Sequence, residues 1–327
     1  MISTYFSMPI AAKNSWWYRF ELHIGPILWL NAEMTASNPN DKSQQRALRA
    51  FAALVTGEDA AIDLSLAALL IASSAYPDLD IAYYMAELDS LAQRVRTLLD
   101  LPEASELPPE TDLLTVIIAI NNVLFEQEHF YGNMQDYYNP DNSFLNRVLE
   151  RHTGIPIALS LVYMEVGKRV GISLEGIGLP FHFVVGCRLP QGRIYIDPYE
   201  AGRIYNEQEC RERVRHLLGG KGKMHASWFE PVSRKYLLVR MLNNLKHIYL
   251  QTENYAHALA MCDRIILLIP RSPVEWRDRG VVHLQLKHYA RAIKDLNAYL
   301  ELAPKAEDRE EVQKQIKAIR NFIAMLN

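Results

Sequence analysis

The middle of the chain reads RHTGIPIALSLVYMEVGKRVG at residues 151–171, and this stretch outlines a central helix. Pro156 suits the first turn of a helix, because the backbone N–H that proline lacks would have no acceptor there. Gly171 is typical of the position just after a helix, where the chain turns in a left-handed conformation. The sequence therefore predicts a helix from Pro156 to about Val170.

Three short apolar runs follow this helix and have the length and composition of β-strands. They span residues 174–179, 182–188 and 193–197, separated by Pro180 and a Pro-Gln-Gly turn. This order predicts a helix followed by antiparallel strands, with His182 on one strand and Asp197 at the end of the next. A carboxylate beside an imidazole fixes its tautomer and stabilises its charged form, which is the base half of a nucleophilic triad.

The chain upstream of this stretch divides at Met34. We predict a helical region over residues 34–136, since apolar residues recur at spacings of three and four, most clearly from Ile81 to Leu98. Residues 1–33 are rich in aromatic side chains and show no clear period. They are either a non-native or flexible extension upstream of a natural start at Met34, or an N-terminal arm that docks on the rest of the chain.

The C-terminal region, residues 231–327, carries a repeat. Tyr255-Ala256-x-Ala258-Leu259 is matched by Tyr289-Ala290-x-Ala292-Ile293, and Pro270 by Pro304, each at an offset of 34 residues. A period of 34 residues, with small residues where helices cross and a proline at the end of each unit, is the tetratricopeptide signature. We predict two units over residues 237–270 and 271–304, and a capping helix over residues 306–326.

Stacked helix pairs of this kind form a concave surface that commonly holds a peptide or a partner protein. We therefore expect a protein or peptide partner to bind the repeats in the region of Tyr255, Trp276 and Tyr289. The alternative is a purely structural brace for the middle of the chain.

The motifs of the middle segment resemble the SirB-type family, whose members join a transglutaminase-like domain to C-terminal tetratricopeptide repeats. The resemblance rests on Asn142-Ser143-Phe144-Leu145, Gly154-Ile155-Pro156-Ile157, Gly178-Leu179-Pro180-x-His182-Phe183 and Ile196-Asp197-Pro198-Tyr199. It covers most of the chain from about residue 40 onward, with the transglutaminase-like core at residues 137–230. It implies an α+β fold: a helical N-terminal region, a papain-like core with a short antiparallel sheet, and α-helical repeats at the C-terminus.

The chain departs from the family at the nucleophile. In active transglutaminase-like domains a Gly-x-Cys begins the central helix, and the resemblance places Gly154-Ile155-Pro156 in that position. His182 and Asp197 match the family's histidine and aspartate, so the chain would retain a His-Asp dyad and lack the thiol. Ser160 lies one helical turn after Pro156 on the same face and could point toward His182, although it sits a turn inside the positive end of the helix.

Two functions from different classes remain. The first is a non-catalytic protein of protein–protein interaction or regulation, in which a degenerate cleft holds a peptide and the repeats recruit a partner. The second is a hydrolase or acyl transferase of peptide or amide bonds, which would use the His182–Asp197 dyad with a non-standard nucleophile such as Ser160. The missing thiol and the repeats favour the first.

Composition limits the classes of partner that we expect and indicates the cellular compartment. A net charge of −3 provides no basic footprint for nucleic acid, and no apolar run reaches the roughly 18–20 residues that a membrane-spanning helix needs. The sequence shows no glycine-rich phosphate loop and no metal-ligand cluster, so we expect no nucleotide, metal or other small-molecule cofactor. Three cysteines without a CxxC pair favour a reducing cytoplasm over a disulfide framework.

Overall fold

The computed structural model describes residues 39–102, 106–220 and 223–326. The predicted extension at residues 1–33 and the predicted start at Met34 lie outside the described residues. The described chain is mostly helical and contains one small antiparallel sheet, which confirms the predicted α+β class.

Within residues 39–102 and 106–127, four helices form the N-terminal region. They are α1 (Pro39–Val55), α2 (Leu64–Ala72), α3 (Ile81–Leu98) and α4 (Leu113–Asn121), the last continuing as a π-helical segment over Asn122–Gln127. Three of these helices begin after an aspartate, because the carboxylates of Asp63, Asp80 and Asp112 accept hydrogen bonds from N–H groups of the first turn. Most of α2 is buried and apolar, as expected for a helix in the protein interior.

Three helices and six short strands follow in the described residues between Tyr131 and Leu217. The helices are α5 (Leu145–Arg151), α6 (Pro156–Val170) and α7 (Glu207–Leu217). The strand pair β1 (Tyr131–Gly132) and β2 (Thr153–Gly154) is parallel, and β3 (Glu175–Ile177), β4 (Val184–Leu189), β5 (Gly192–Asp197) and β6 (Arg203–Tyr205) form an antiparallel sheet in that order. The sequence prediction missed β1, β2 and β6, because strands of two or three residues leave no readable alternation.

The central helix α6 begins at Pro156 and ends before Gly171, as the sequence predicts. Gly171 has a φ of +111°, a conformation that glycine adopts without steric strain. Most of α6 is buried, and the helix packs against α3 and against β4. It therefore holds the N-terminal helices and the sheet in one core.

Five helices form the C-terminal region. They are α8 (Arg234–Gln251), α9 (Tyr255–Leu268), α10 (Pro273–Gln285), α11 (Tyr289–Leu302) and α12 (Arg309–Leu326). The pairs α8/α9 and α10/α11 are the two units that the 34-residue period predicts. Gly280 lies where α10 meets α11: a Cβ there would stand 3.1 Å from the Leu296 side chain, so the small residue permits the close approach.

The first repeat helix is buried in the same apolar core as the middle segment. Leu237 and Met241 of α8 belong to one cluster with residues of α2 and α6. Arg264 of α9 also reaches the N-terminal region, where it donates to the Leu70 carbonyl of α2 at 3.3 Å. The core is thus continuous across residue 230, where the sequence analysis ends the middle domain.

Acid is expected to destabilise the protein in part through His283, which is buried in α10 with Nε2 3.7 Å from Asp295 Oδ2. Desolvation outweighs the Asp295 carboxylate and lowers the pKa of His283 from 6.5 to about 4, and the charges of Arg279 and His288 act in the same direction. Between pH 6.5 and pH 4, His283 therefore binds more protons in the unfolded chain than in the folded one. Its contribution to the free energy of unfolding is complete above pH 6.5 and is lost as the pH falls toward 4.

Urea unfolding at pH 7.5 and pH 5 measures this effect. Through His283, the wild type should lose up to about 2 kcal/mol of unfolding free energy over that interval. His283→Gln cannot take up the proton and should lose correspondingly less. An equal loss in both proteins would contradict the prediction.

Candidate functional site

His182 and Asp197 lie within hydrogen-bond distance of each other in the interior. The His182 Nε2–H donates to Asp197 Oδ2 at 2.6 Å, and both residues are buried. This bond selects the tautomer in which Nδ1 carries the lone pair. The imidazole is therefore held in one orientation, with Nδ1 as the nitrogen that remains to accept a proton.

The chain that follows β5 fixes the carboxylate. A 3-10 turn begins directly after Asp197, and the N–H groups of Tyr199 and Glu200 in this turn donate to Asp197 Oδ1 at 3.0 and 3.3 Å. Arg213 of α7 lies 3.6 Å from Asp197 Oδ2. Because both carboxylate oxygens are engaged, Asp197 holds its position beside the imidazole.

The loop before β4 fixes the histidine. The sequence analysis placed His182 on a strand, and this was wrong, since β4 begins only at Val184. Phe181 has a φ of +59°, and the His182 N–H donates back to the Leu179 carbonyl at 3.2 Å, so the chain turns before it becomes extended. Arg240 of α8 donates to the carbonyls of Leu179 and His182, which ties this loop to the first repeat helix.

Pro156 and His182 line the same cavity, which has a volume of about 210 Å³. Pro156 begins α6, so the cavity lies at the end of the central helix where the backbone dipoles place partial positive charge. The remaining lining residues are Tyr137, Tyr138, Ile155, Ile157, Phe181, Phe183, Arg240 and Asn244. The tyrosines and the α8 residues were missed by the sequence analysis, because they come from segments far along the chain and carry no motif.

Ser160 occupies a different place from the one a nucleophile would need. Its hydroxyl donates to the Phe183 backbone carbonyl at 3.4 Å, and the residue is fully buried in α6. It does not line the cavity that contains Pro156 and His182. The structure therefore brings His182, Asp197 and Pro156 together and gives Ser160 a packing contact between α6 and the loop before β4.

The three cysteines offer no activated thiol. All are free and buried. Burial raises the pKa of the Cys187 thiol, and burial with the nearby Asp197 charge raises that of Cys210 to about 12. Reactive cysteines need the opposite shift, and none of the three lines the cavity.

Comparison with known proteins covers both halves of the chain. Residues 82–243 match the transglutaminase-like superfamily, and residues 245–317 match the tetratricopeptide repeat. A UPF0162 protein of Xylella fastidiosa strain Temecula1 is 36% identical over 271 residues, which are 82% of this chain and 94% of the relative. The chain belongs to the UPF0162 family.

This UPF0162 chain has the domain order that the sequence predicts, a transglutaminase-like domain followed by tetratricopeptide repeats. It is also similar to a UPF0162 protein of Vibrio cholerae, with 28% identity over 62% of this chain and 74% of the relative. A shorter stretch of 138 residues is 38% identical to mouse F-box only protein 21 and covers 40% of this chain and 21% of that protein. No solved structure matches the chain.

The three repeat residues predicted to contact a partner in this UPF0162 chain also make contacts within the fold. The Trp276 indole N–H donates to the Pro270 carbonyl at 2.8 Å, and the Arg279 guanidinium lies 4.9 Å from its ring centroid. Tyr289 packs edge-on against α12, and Tyr255 packs against the main apolar core. A partner contact at these three residues stays a prediction.

Two further properties concern cofactors and membranes. In the three described ranges, no group of three or more His, Cys, Asp and Glu side chains is arranged to hold a metal ion. None of the helices built from the described residues combines the length and the apolarity that crossing a bilayer requires.

Proposed function

We propose that this UPF0162 protein is a non-catalytic peptide-binding protein, in which the transglutaminase-like cleft holds a polypeptide and the repeats engage a partner protein. The proposal rests on Pro156, which begins α6 in the cavity that His182 also lines. Proline has neither a thiol nor a hydroxyl. At this position the His182–Asp197 dyad therefore has no attacking group to deprotonate.

The lining of the cavity supports a peptide ligand. Tyr137 and Tyr138 are 37% and 59% exposed, and Met134 in the same segment is 78% exposed. Cavities that bind ligands are typically lined by aromatic and apolar side chains with a few polar groups. Arg240 and Asn244 add hydrogen-bond donors from α8. A polypeptide supplies both apolar side chains and backbone carbonyls, which are the groups that such a surface binds.

The retained dyad and the cysteines fit this function. The His182–Asp197 bond links the loop before β4 to the end of β5 and so shapes one wall of the cavity. The three free cysteines suit a reducing compartment, and we place the protein in the cytoplasm on that basis.

The alternative is a peptide or amide hydrolase, or an acyl transferase. The observation that favours it is the 2.6 Å bond between His182 and Asp197, which would orient a general base. Ser160 is bonded to the Phe183 carbonyl and lies outside the cavity. The geometry therefore leaves an activated water as the nucleophile of this alternative.

An array of N-acetylated octapeptides of varied sequence tests both functions on the full chain. The full chain is needed because α8 belongs to the core and lines the cavity. We expect peptides to be captured without cleavage, as read by mass spectrometry. Asn244→Trp should fill the cavity and weaken capture at least about tenfold, a loss of about 1.4 kcal/mol.

Matched variants decide the outcome. Gln285→Trp adds the same side chain at an exposed position of α10 and should capture peptides as the wild type does. If the wild type cleaves the peptides and His182→Ala does not, the hydrolase function replaces the proposal. Capture that is absent, or equal in Asn244→Trp and the wild type, would overturn peptide binding in this cavity.

A further inference from the structure

Arg240 brings a positive charge into the cavity from α8, near the end of the stretch that matches the transglutaminase-like superfamily. It belongs to α8 and lines the cavity beside His182. Three of its N–H groups donate to backbone carbonyls, two to Leu179 at 3.1 Å and one to His182 at 2.6 Å. A guanidinium has five N–H donors, so these carbonyls do not saturate it.

This charge has no carboxylate partner within the described part of the chain. The ionisable groups that act on Arg240 are the phenols of Tyr236 and Tyr137. Arg279 in the next repeat shows the contrast, because it forms two hydrogen bonds with Asp295 at 2.7 and 2.9 Å. Backbone carbonyls and phenols supply no full negative charge, and desolvation lowers the pKa of Arg240. A carboxylate would supply the counter-charge that the guanidinium lacks here.

The rest of the lining adds donors and no acid. Asn244 follows Arg240 by one turn of α8, which places both on the same helix face. The N–H of Ile157, in the first turn of α6, has no acceptor among the described residues. It stands where the helix dipole favours a negative group. The ten lining residues include no aspartate or glutamate.

We infer that this cavity binds a carboxylate carried by a peptide, with Arg240, Asn244 and the Ile157 N–H as its donors. The inference rests on the proposed peptide-binding function and narrows its ligand. The carboxylate can come from an acidic side chain or from the end of a chain. The site is assembled from distant segments, because α6 and the loop before β4 supply one part of it and α8 supplies the other.

The test uses the full chain and each octapeptide in four forms. The peptide carries glutamate or glutamine at one position, and its C-terminus is free or amidated. Fluorescence anisotropy should show at least about tenfold tighter binding of a carboxylate form than of the form without a carboxylate. Preference for glutamate over glutamine identifies a side chain as the source, and preference for the free over the amidated C-terminus identifies a chain end.

Variants assign the preference to Arg240. Arg240→Gln should remove this preference and weaken binding of the carboxylate forms at least about tenfold. Arg240→Lys, which keeps the charge with fewer N–H donors, should retain part of the preference. Arg291→Gln, at an exposed position of α11, is the matched control and should leave it unchanged. If Arg240→Gln does not fold, the wild type still decides: raising the salt from 50 to 500 mM should weaken binding of the carboxylate forms selectively.

The outcomes separate this inference from the proposed function. If all four peptide forms bind with equal affinity and Asn244→Trp still removes capture, the carboxylate inference is wrong and peptide binding in the cavity stands. A preference that survives in a folded Arg240→Gln would likewise overturn the role of Arg240. Absence of any capture would overturn both.

Discussion

Replacement of Lys246 by methionine is expected to lower the free energy of unfolding by about 3–5 kcal/mol. Lys246 Nζ donates to Glu275 Oε2 at 2.7 Å and to Asp278 Oδ2 at 2.9 Å, and all three residues are buried. Desolvation alone would lower the pKa of Lys246, but the two carboxylates outweigh it and raise the pKa. Methionine would occupy a similar space and leave two carboxylates buried without a counter-charge.

Urea unfolding followed by circular dichroism at pH 7 measures this loss. Lys294→Met, at an exposed position of α11, is the control and should change stability by no more than about 0.5 kcal/mol. Adding Glu275→Met and Asp278→Leu to Lys246→Met removes the whole network, and most of the lost stability should return. If Lys246→Met alone stays within about 1 kcal/mol of the wild type, the buried network does not have the role assigned to it.

Pro156→Cys is expected to place a reactive thiol in the cavity. The new side chain would stand in the first turn of α6, at its positive end, in the cavity that His182 lines. Both features lower the pKa of a thiol and oppose the rise that burial of this position would cause. The ordinary thiol pKa near 8.5 leaves only a few per cent as thiolate at pH 7. Alkylation by iodoacetamide at pH 7 should be about tenfold faster than that of an unperturbed thiol, because most of the residue would be thiolate.

Two controls make this experiment specific. The native cysteines are buried and should contribute little background. Adding His182→Ala should move the pH profile of alkylation back toward that of an ordinary thiol. Ser160→Cys should remain almost unlabelled, because Ser160 is fully buried and, unlike Pro156, does not line the cavity. A rate for Pro156→Cys no faster than that of a free thiol would show that Pro156 does not stand at a nucleophile position.

The elements with strong local signals were predicted well. Proline at its first turn and glycine after its last residue define α6 through backbone sterics, which operate within a few residues. The repeat is equally local, because the 34-residue offset places a small residue at each helix crossing. The resemblance carried by the Gly-Leu-Pro-x-His and Ile-Asp-Pro motifs then supplied the domain order, which the matches to both domain families confirm.

The sequence identified only part of the candidate site. Pro156, His182 and Asp197 were selected from motifs, and the structure brings them together. Ser160 was reached by helical spacing alone, which gives a face of α6 but not its neighbours, and the neighbour of its hydroxyl is the Phe183 carbonyl. Spacing on a helix therefore narrows the candidates without identifying a partner.

The sequence by itself determined which segments are helical, the 34-residue period of the repeats and that no thiol opens the central helix, because each of these depends on neighbouring residues. Only the tertiary structure decided what surrounds His182. Arg240 is separated from His182 by 58 residues and donates to its carbonyl, yet along the sequence it is one arginine on a repeat helix. Burial of α8 in the common core brings it to the cavity, and burial depends on contacts between distant segments that no local pattern encodes.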